Sequence, residues 1–162
     1  MTQAATFAMT DGDLLGGLKG LLRSILALDE IGALLVPQRL PMKNMVMPTL
    51  VTDPDRLEGA DPLAPAFPMN AAKLVSRLTR RPMGAKIAAV LRPCEIRAFV
   101  ELVKLHQADT RDVVILGIDC LGAYRNRDYF RHADSEGDAA TRRFFRQALL
   151  GEDERQTLVG LA

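Results

Sequence analysis

The chain contains two cysteines, Cys94 and Cys120, and each stands where an apolar run of strand type ends. These runs cover residues 87–91 and 113–118. In a parallel sheet both ends lie at the same carboxyl edge, which is where open α/β sheets bind ligands. A thiolate at that edge can ligate iron or attack a substrate. A lone cysteine is commonly a small buried residue, but two at equivalent strand ends favour a functional site.

The segment between the two runs has the apolar spacing of a helix over residues 93–106. Pro93 suits the first helical turn, so Cys94 lies among free backbone N–H groups at the positive end of the helix dipole. That position favours the thiolate form. The buried face of this helix is predicted to include Phe99 and Val100. Residues 84–124 therefore form the predicted core unit of strand, helix and strand.

The pattern over the whole chain predicts a single α/β domain, residues 1–162, with a small, mainly parallel sheet flanked by helices. The last strand of the core unit is continuously apolar, which is typical of a parallel strand covered on both faces. Other predicted elements are helices near 14–28, 71–80 and 139–150, strands at 33–36 and 45–51, and a solvated loop at 38–44. Residues 53–68 are rich in proline and predict an irregular, ordered loop.

Composition narrows the class of protein. The chain is 48% hydrophobic and 25% charged, which is enough for one compact core. Its net charge of +1 and its 5% of aromatic residues argue against a nucleic-acid partner. No apolar run is long enough for membrane insertion, and the start of the sequence lacks the features of an export signal. Two cysteines without such a signal predict a cytoplasmic protein.

Several sequence segments resemble one known family. The runs R-P-C-E-I-R-A-F-V-E-L-V-K-L-H-Q at 92–107 and V-I-L-G-I-D-C-L-G-A-Y at 114–124 are similar to the beta-subunit family of coenzyme F-420 hydrogenases and dehydrogenases. The likeness extends to the formate dehydrogenase beta-subunit branch of that family. The upstream segments L-L-V-P-Q-R-L-P, M-P-T-L-V-T-D and A-D-P-L-A-P-A-F-P-M-N-A-A-K resemble this branch too. The resemblance covers residues 31–124, most of an N-terminal domain.

The resemblance implies an iron-sulfur flavoprotein that binds FAD and transfers electrons to other redox subunits of a hydrogenase or dehydrogenase complex. In such a protein Cys94 and Cys120 are expected to be ligands of a four-iron, four-sulfur cluster. Members of the family usually carry more cysteines, often in a C-x-x-C-x-x-C run that this chain lacks. A cubane cluster needs about four thiolates, so the remaining ligands are expected to come from another chain or from a missing segment of this one. The other expectation is that the cluster has been lost.

Polar residues near the predicted sheet edge and the loops are candidates for cofactor binding. Arg97 is expected either to neutralise an anion there or to pair with Asp119. Asp119 itself has three other possible roles: to orient Cys120, to bind a cofactor hydroxyl or to cap the next turn. Gly122 permits either a left-handed turn or a close backbone approach to a ligand. The helix start near residue 70 can receive a pyrophosphate, or can simply be capped by asparagine. The full candidate set is Arg39, Asn70, Lys73, Glu95, Arg97, Asp119 and Gly122.

Two other classes of function fit the sequence. A thiol enzyme would use Cys94 as nucleophile, but a base is poorly supplied because His106 lies at the far end of the same helix. A non-catalytic assembly or docking subunit of a redox complex would keep the fold without a complete cluster. The small number of cysteines favours this second alternative.

Overall fold

The computed structural model describes residues 13–41, 43–80 and 84–150, which form five α-helices, four strands and one short 3-10 helix. The helices are α1 (Leu14–Leu26), α2 (Ala72–Leu78), α3 (Pro93–Lys104), α4 (Asn126–Glu136) and α5 (Asp138–Leu150). The strands are β1 (Ile31–Leu40), β2 (Lys43–Val51), β3 (Lys86–Leu91) and β4 (Val113–Gly117), and the 3-10 helix spans Pro54–Gly59. None of the helices in these ranges is long and apolar enough to cross a membrane.

The four strands form one mixed sheet in the order β2-β1-β3-β4. β1 pairs with β3 and β3 pairs with β4 in parallel, whereas β1 and β2 form an antiparallel hairpin. The chain is therefore an α/β fold with helices on both faces of the sheet. β3, α3 and β4 are the strand, helix and strand predicted within residues 84–124.

The loop predicted at 38–44 is wrong, because β1 continues to Leu40 and β2 begins at Lys43. Each strand contains a proline, and Pro37 faces Pro48 across the hairpin. β1 pairs with β3 only as far as Leu35, so Pro37 lies beyond the parallel ladder and its missing N–H donor removes no bond to β3. The Pro37 carbonyl still accepts a hydrogen bond from the backbone N–H of Asp61, at 2.8 Å.

Side chains alternate between the two faces of the sheet and form two apolar layers. One layer lies under α1 and the 3-10 helix and contains Leu22, Leu26, Leu34, Val36, Leu57 and Val90. The other layer lies under α2 and α3 and contains Leu35, Ala72, Val75, Ala89, Leu91 and Phe99. Every strand residue in these lists is buried, so β1 and β3 are the central strands of the core.

β4 is less buried than its sequence predicts. It is the last strand in the sheet, and among the residues that the structure describes only β3 pairs with it. As a result Ile115 keeps 36% of its surface exposed, and Gly117 is exposed as well. On α3, Val100 was expected in the core together with Phe99, but it is 42% exposed while Phe99 is fully buried. The apolar run identified the strand correctly but not its position at the edge of the sheet.

The proline-rich segment, residues 53–68, is held in place by the helices α4 and α5 that pack against it. Residues 61–66 are all buried, and α4 and α5 lie over this stretch in a third apolar cluster. The side-chain amide of Asn126 binds the backbone of Phe67 twice, accepting from its N–H at 3.0 Å and donating to its carbonyl at 3.1 Å. Tyr129 of α4 and Ala140 of α5 are completely enclosed against Ala64. Packing of these two helices replaces the regular hydrogen bonding that prolines prevent.

Both tyrosines of the chain are expected to ionise at unusually high pH. Burial raises the pKa of Tyr129 and of Tyr124, and the nearby Asp61 carboxylate raises that of Tyr129 further. For both tyrosines the pKa in the folded chain exceeds the pKa in the unfolded chain. Their contribution to the free energy of unfolding is therefore complete below about pH 10 and is lost as the pH rises through the folded pKa. The chain has two tyrosines and no tryptophan, so tyrosinate absorbance reports on these two residues alone. In the native chain this absorbance should appear only at a pH clearly above about 10, whereas in urea it should appear at about pH 10.

The variant Tyr124→Phe isolates the signal of Tyr129, which is the more deeply buried of the two. Half-ionisation of Tyr129 at about pH 10 in the native state would contradict the burial of its hydroxyl.

Candidate functional site

A buried arginine lies where β3 ends and α3 begins. Arg92 directly precedes Pro93 and is only 7% exposed. Its guanidinium donates to the carbonyl oxygens of Ala64 and Ala66, and it stacks 3.5 Å above the centre of the Phe67 ring. The proline-rich segment thus supplies two acceptors and an aromatic face that hold this cation beneath the sheet edge.

Both cysteines lie within electrostatic range of Arg92. Burial lowers the pKa of the Arg92 guanidinium, and negative charge at Glu95, then at Cys120 and Cys94, acts in the opposite direction. Cys94 follows β3 by three residues and Cys120 follows β4 by three, so the two parallel strands bring both thiols to one edge. Both thiols are free and exposed, and Cys120 Sγ lies 3.7 Å from the carbonyl oxygen of Gly122.

Glu95 joins the two helices that meet at this edge. Its side chain is 4% exposed, and one carboxylate oxygen accepts from the backbone N–H of Arg92 at 3.0 Å. The other oxygen accepts from the backbone N–H of Ala71, at the start of α2, at 2.9 Å. This single carboxylate therefore satisfies donors at the beginnings of both α3 and α2.

The start of α2 does not fit the pyrophosphate predicted there. The Glu95 carboxylate already occupies the Ala71 N–H, and the Asn70 side chain accepts from the Ala72 N–H at 2.9 Å. Asn70 therefore caps its own helix, which is the second of the two roles expected for it. Lys73 is exposed in the first turn of this seven-residue helix.

Arg39 lies in β1 and points into the fold. Its guanidinium Nη2 is 2.6 Å from Asp61 Oδ2, 3.2 Å from the Tyr129 hydroxyl and 3.3 Å from the Thr141 hydroxyl. Only 11% of the side chain is exposed. This network links β1 to the proline-rich segment and to α4 and α5, so the structure gives Arg39 an internal role that accounts for its charge.

The remaining candidates lie on the surface. Arg97 and Asp119 are both exposed, and within the described ranges no ion pair joins them. Gly122 has a φ of +129°, a conformation that side chains rarely adopt, and a Cβ there would lie 3.9 Å from the Phe144 ring. The backbone just after Cys120 thus adopts a conformation suited to glycine, close to Phe144 of α5.

The sheet edge offers two sulfur ligands. In the part of the chain that the structure describes, no group of three or more histidine, cysteine, aspartate or glutamate side chains is close enough to hold a metal ion. A cubane cluster needs about four thiolate ligands, so the two cysteines can supply half of the set and not all of it. Exposed thiols in general can bind soft metals or exchange with a disulfide.

Sequence reasoning missed Arg92, although it stands beside the first cysteine. The signal was present, since arginine at the end of an apolar strand is costly unless its charge is compensated. The compensating groups are backbone carbonyls 26 and 28 residues earlier in the chain, which no local pattern predicts.

In a scan against protein-family models, no family model matches this chain.

Proposed function

We propose that this chain is an electron-transfer subunit or domain of an oxidoreductase of the coenzyme F-420 hydrogenase or formate dehydrogenase beta type. In this proposal Cys94 and Cys120 supply two thiolates to a four-iron, four-sulfur cluster, and a partner chain in a cytoplasmic complex supplies the others. The resemblance of residues 92–107 and 114–124 to that family motivates the assignment.

One observation carries the proposal: two exposed thiols follow neighbouring parallel strands, at the sheet edge where Arg92 is buried. A fixed positive charge beside the cluster favours its reduced, more negative state over its oxidised state. Exposure of both thiols leaves them open to ligands from a second chain. Both features are expected of a cluster that is shared between subunits.

FAD is the second cofactor in the proposal, and it supplies two-electron chemistry when bound. The residues left to contact it are the exposed ones, Lys73, Arg97, Asp119 and Gly122. Arg97 and Lys73 offer cations for the phosphates, whereas Asp119 offers an acceptor for a ribose hydroxyl. Arg39, Asn70 and Glu95 are no longer assigned to the flavin, because each is already bonded within the fold.

A non-catalytic assembly subunit is the second candidate. Arg39 and Glu95 favour it, because both are bonded inside the fold rather than available to a cofactor. The ligand set favours it too, because the described residues offer two thiols and no cluster of three or more metal-ligating side chains. Such a subunit would use the same fold to dock on a redox partner without binding cofactors of its own.

An anaerobic visible absorption spectrum with iron and flavin analysis distinguishes the two candidates. We expect the chain purified with its partners to show a flavin band and a broad iron-sulfur shoulder. Replacing Cys94 or Cys120 with alanine should abolish the shoulder and the iron. The matched control is Leu121→Ala, which changes an exposed neighbour of Cys120 and should keep both signals.

The other outcomes are equally informative. An iron-sulfur shoulder that survives both cysteine replacements would overturn the ligand assignment. Flavin without iron would leave a flavin module that has no cluster at these thiols. A colourless complex would reject the electron-transfer function in favour of the assembly subunit.

A further inference from the structure

The outer edge of β4 is open and apolar. In the described ranges no strand pairs with it on the side away from β3. The strand V-V-I-L-G contains neither charge nor proline, although exposed sheet edges are usually protected by one or the other. Ile115 is 36% exposed at its centre, and Val100 of the neighbouring helix α3 is 42% exposed. Such an edge is suited to pairing with another strand.

The backbone groups that face outward can be identified from the ladder with β3. At one end Ile87 donates to the carbonyl of Asp112 at 2.9 Å, and at the other Ile118 donates to the carbonyl of Leu91 at 3.0 Å. Alternate residues of a strand direct their N–H and C=O groups to opposite sides. Residues 112, 114, 116 and 118 therefore bond to β3, whereas Val113, Ile115 and Gly117 present their backbone groups to the open edge.

We propose that this edge pairs with the same edge of a second copy of the chain, antiparallel about a two-fold axis at Ile115. Ile115 then lies opposite Ile115 of the other copy, and Val113 lies opposite Gly117. All these residues present outward-facing backbone groups, so each opposed pair exchanges two hydrogen bonds. The two four-stranded sheets become one continuous sheet.

Charges flanking the strand select this register. Arg111 stands two residues before β4 and Asp119 two residues after it, so the proposed pairing brings them together at both ends of the interface. A shift of two residues in one direction would instead oppose Asp109 and Asp119, which repel. The opposite shift would place Asp119 against the apolar Val113. Opposite charges facing each other across strands stabilise the pairing, and like charges destabilise it.

Arg111 can serve this contact without losing its internal partner. Its Nε and Nη2 donate to Asp109 Oδ2 at 2.8 and 2.6 Å, and Nη1 makes no hydrogen bond to a described residue. The guanidinium has donors enough for two carboxylates. Its side chain is 85% exposed, so it remains accessible to a second chain.

The apolar contacts agree with the charges. Ile115 lies on the α3 face of the sheet together with Gly117, where an added Cβ would come 3.5 Å from Ile96 of α3. Val100 follows Ile96 by one helical turn, so it lies on the same flank of the sheet. Pairing two copies about Ile115 covers both exposed apolar side chains in a single event.

Sedimentation equilibrium of the purified chain tests the proposal with charge variants. We expect a dimer, and we expect Arg111→Asp or Asp119→Arg to raise its dissociation constant about tenfold, since each variant creates like-charge pairs at both symmetric ends. The double variant restores the pairs with their signs exchanged and should recover dimerisation. The control Arg56→Asp reverses an exposed charge in the 3-10 helix, which contacts β1 and β2, and should have no effect.

Cross-linking tests the position of the axis. Antiparallel hydrogen-bonded residues have Cα atoms about 5.5 Å apart, which suits a disulfide. In a Cys94→Ser, Cys120→Ser background, the variant Ile115→Cys should therefore form a covalent dimer when dissolved oxygen, with a copper catalyst, accepts two electrons and two protons from the paired thiols. Leu105→Cys, at a position 62% exposed, is the matched control and should remain mostly monomeric.

A chain that stays monomeric at all concentrations, or equally fast cross-linking of both cysteine variants, would overturn the proposal. So would a monomeric chain whose Ile115→Cys thiol becomes protected only in complex with a different protein, because the edge would then belong to that partner. Arg111 and Ile115 are assigned to no cofactor, so the outcomes for Arg111→Asp and Ile115→Cys do not depend on whether iron or flavin is bound. The dimer and the proposed electron transfer can therefore fail separately.

Discussion

Replacing Asp61 with alanine is expected to destabilise the chain by about 3–5 kcal/mol, the usual effect of removing one partner of a buried ion pair. Asp61 is 1% exposed, and its Oδ2 accepts from Arg39 at 2.6 Å and from the Thr141 hydroxyl at 2.7 Å. Alanine would remove the Asp61 carboxylate from beside the Arg39 side chain, which is only 11% exposed. Urea denaturation should show the loss as a lower midpoint at an unchanged slope.

The matched control is Glu30→Ala, which breaks a pair of the same length at the surface. Lys86 Nζ lies 2.6 Å from Glu30 Oε2, but the two side chains are 43% and 59% exposed. Solvent screening limits such pairs to about 0–1 kcal/mol. The double variant Arg39→Met, Asp61→Leu should cost less than Asp61→Ala, because it removes both charges together. Equal losses for Asp61→Ala and Glu30→Ala would show that the network is not buried in solution.

Local sequence pattern was sufficient to predict much of the fold. Helical spacing predicted α1 and α3, and apolar runs predicted β3 and β4, because each of these elements has a pattern that repeats over several residues. The hairpin was harder, since proline in β1 and β2 indicates edge strands or loops. Pro37 is tolerated because the pairing between β1 and β3 stops at Leu35, and local sequence does not show where two distant strands stop pairing.

The roles of polar residues were less predictable than the elements that carry them. Arg39 had the pattern of a loop residue, and its partners are 22, 90 and 102 residues further along the chain. Glu95 was placed correctly in the first turn of α3 beside Cys94. Its carboxylate, however, faces inward to α2 rather than outward to a ligand. Helical spacing gives the turn on which a residue lies, whereas the contact it makes depends on how two helices approach each other.

Removal of the Glu95 carboxylate is the second large effect that we expect. In Glu95→Ala the backbone N–H groups of Arg92 and Ala71 both lose their acceptor inside the fold. An unsatisfied buried donor costs about 1–3 kcal/mol, so the loss of both should destabilise the chain by about 2–6 kcal/mol. Glu95→Gln keeps the shape and one acceptor oxygen, and it should lose about half as much. Urea denaturation again provides the measurement.

Glu101→Ala is the matched control, because it removes a carboxylate from the same helix where solvent surrounds it. Glu101 pairs with Lys104 at 2.7 Å, and both side chains are 64% exposed, so its removal should cost less than about 1 kcal/mol. Hydrogen exchange separates the two causes of a loss at Glu95. Faster exchange at the Ala71 amide, with the middle of α3 still protected, would show that the carboxylate fastens α2 to α3. Uniformly faster exchange along α3 would contradict this bridging role, because it would show that the Glu95 carboxylate stabilises α3 alone and does not connect it to α2.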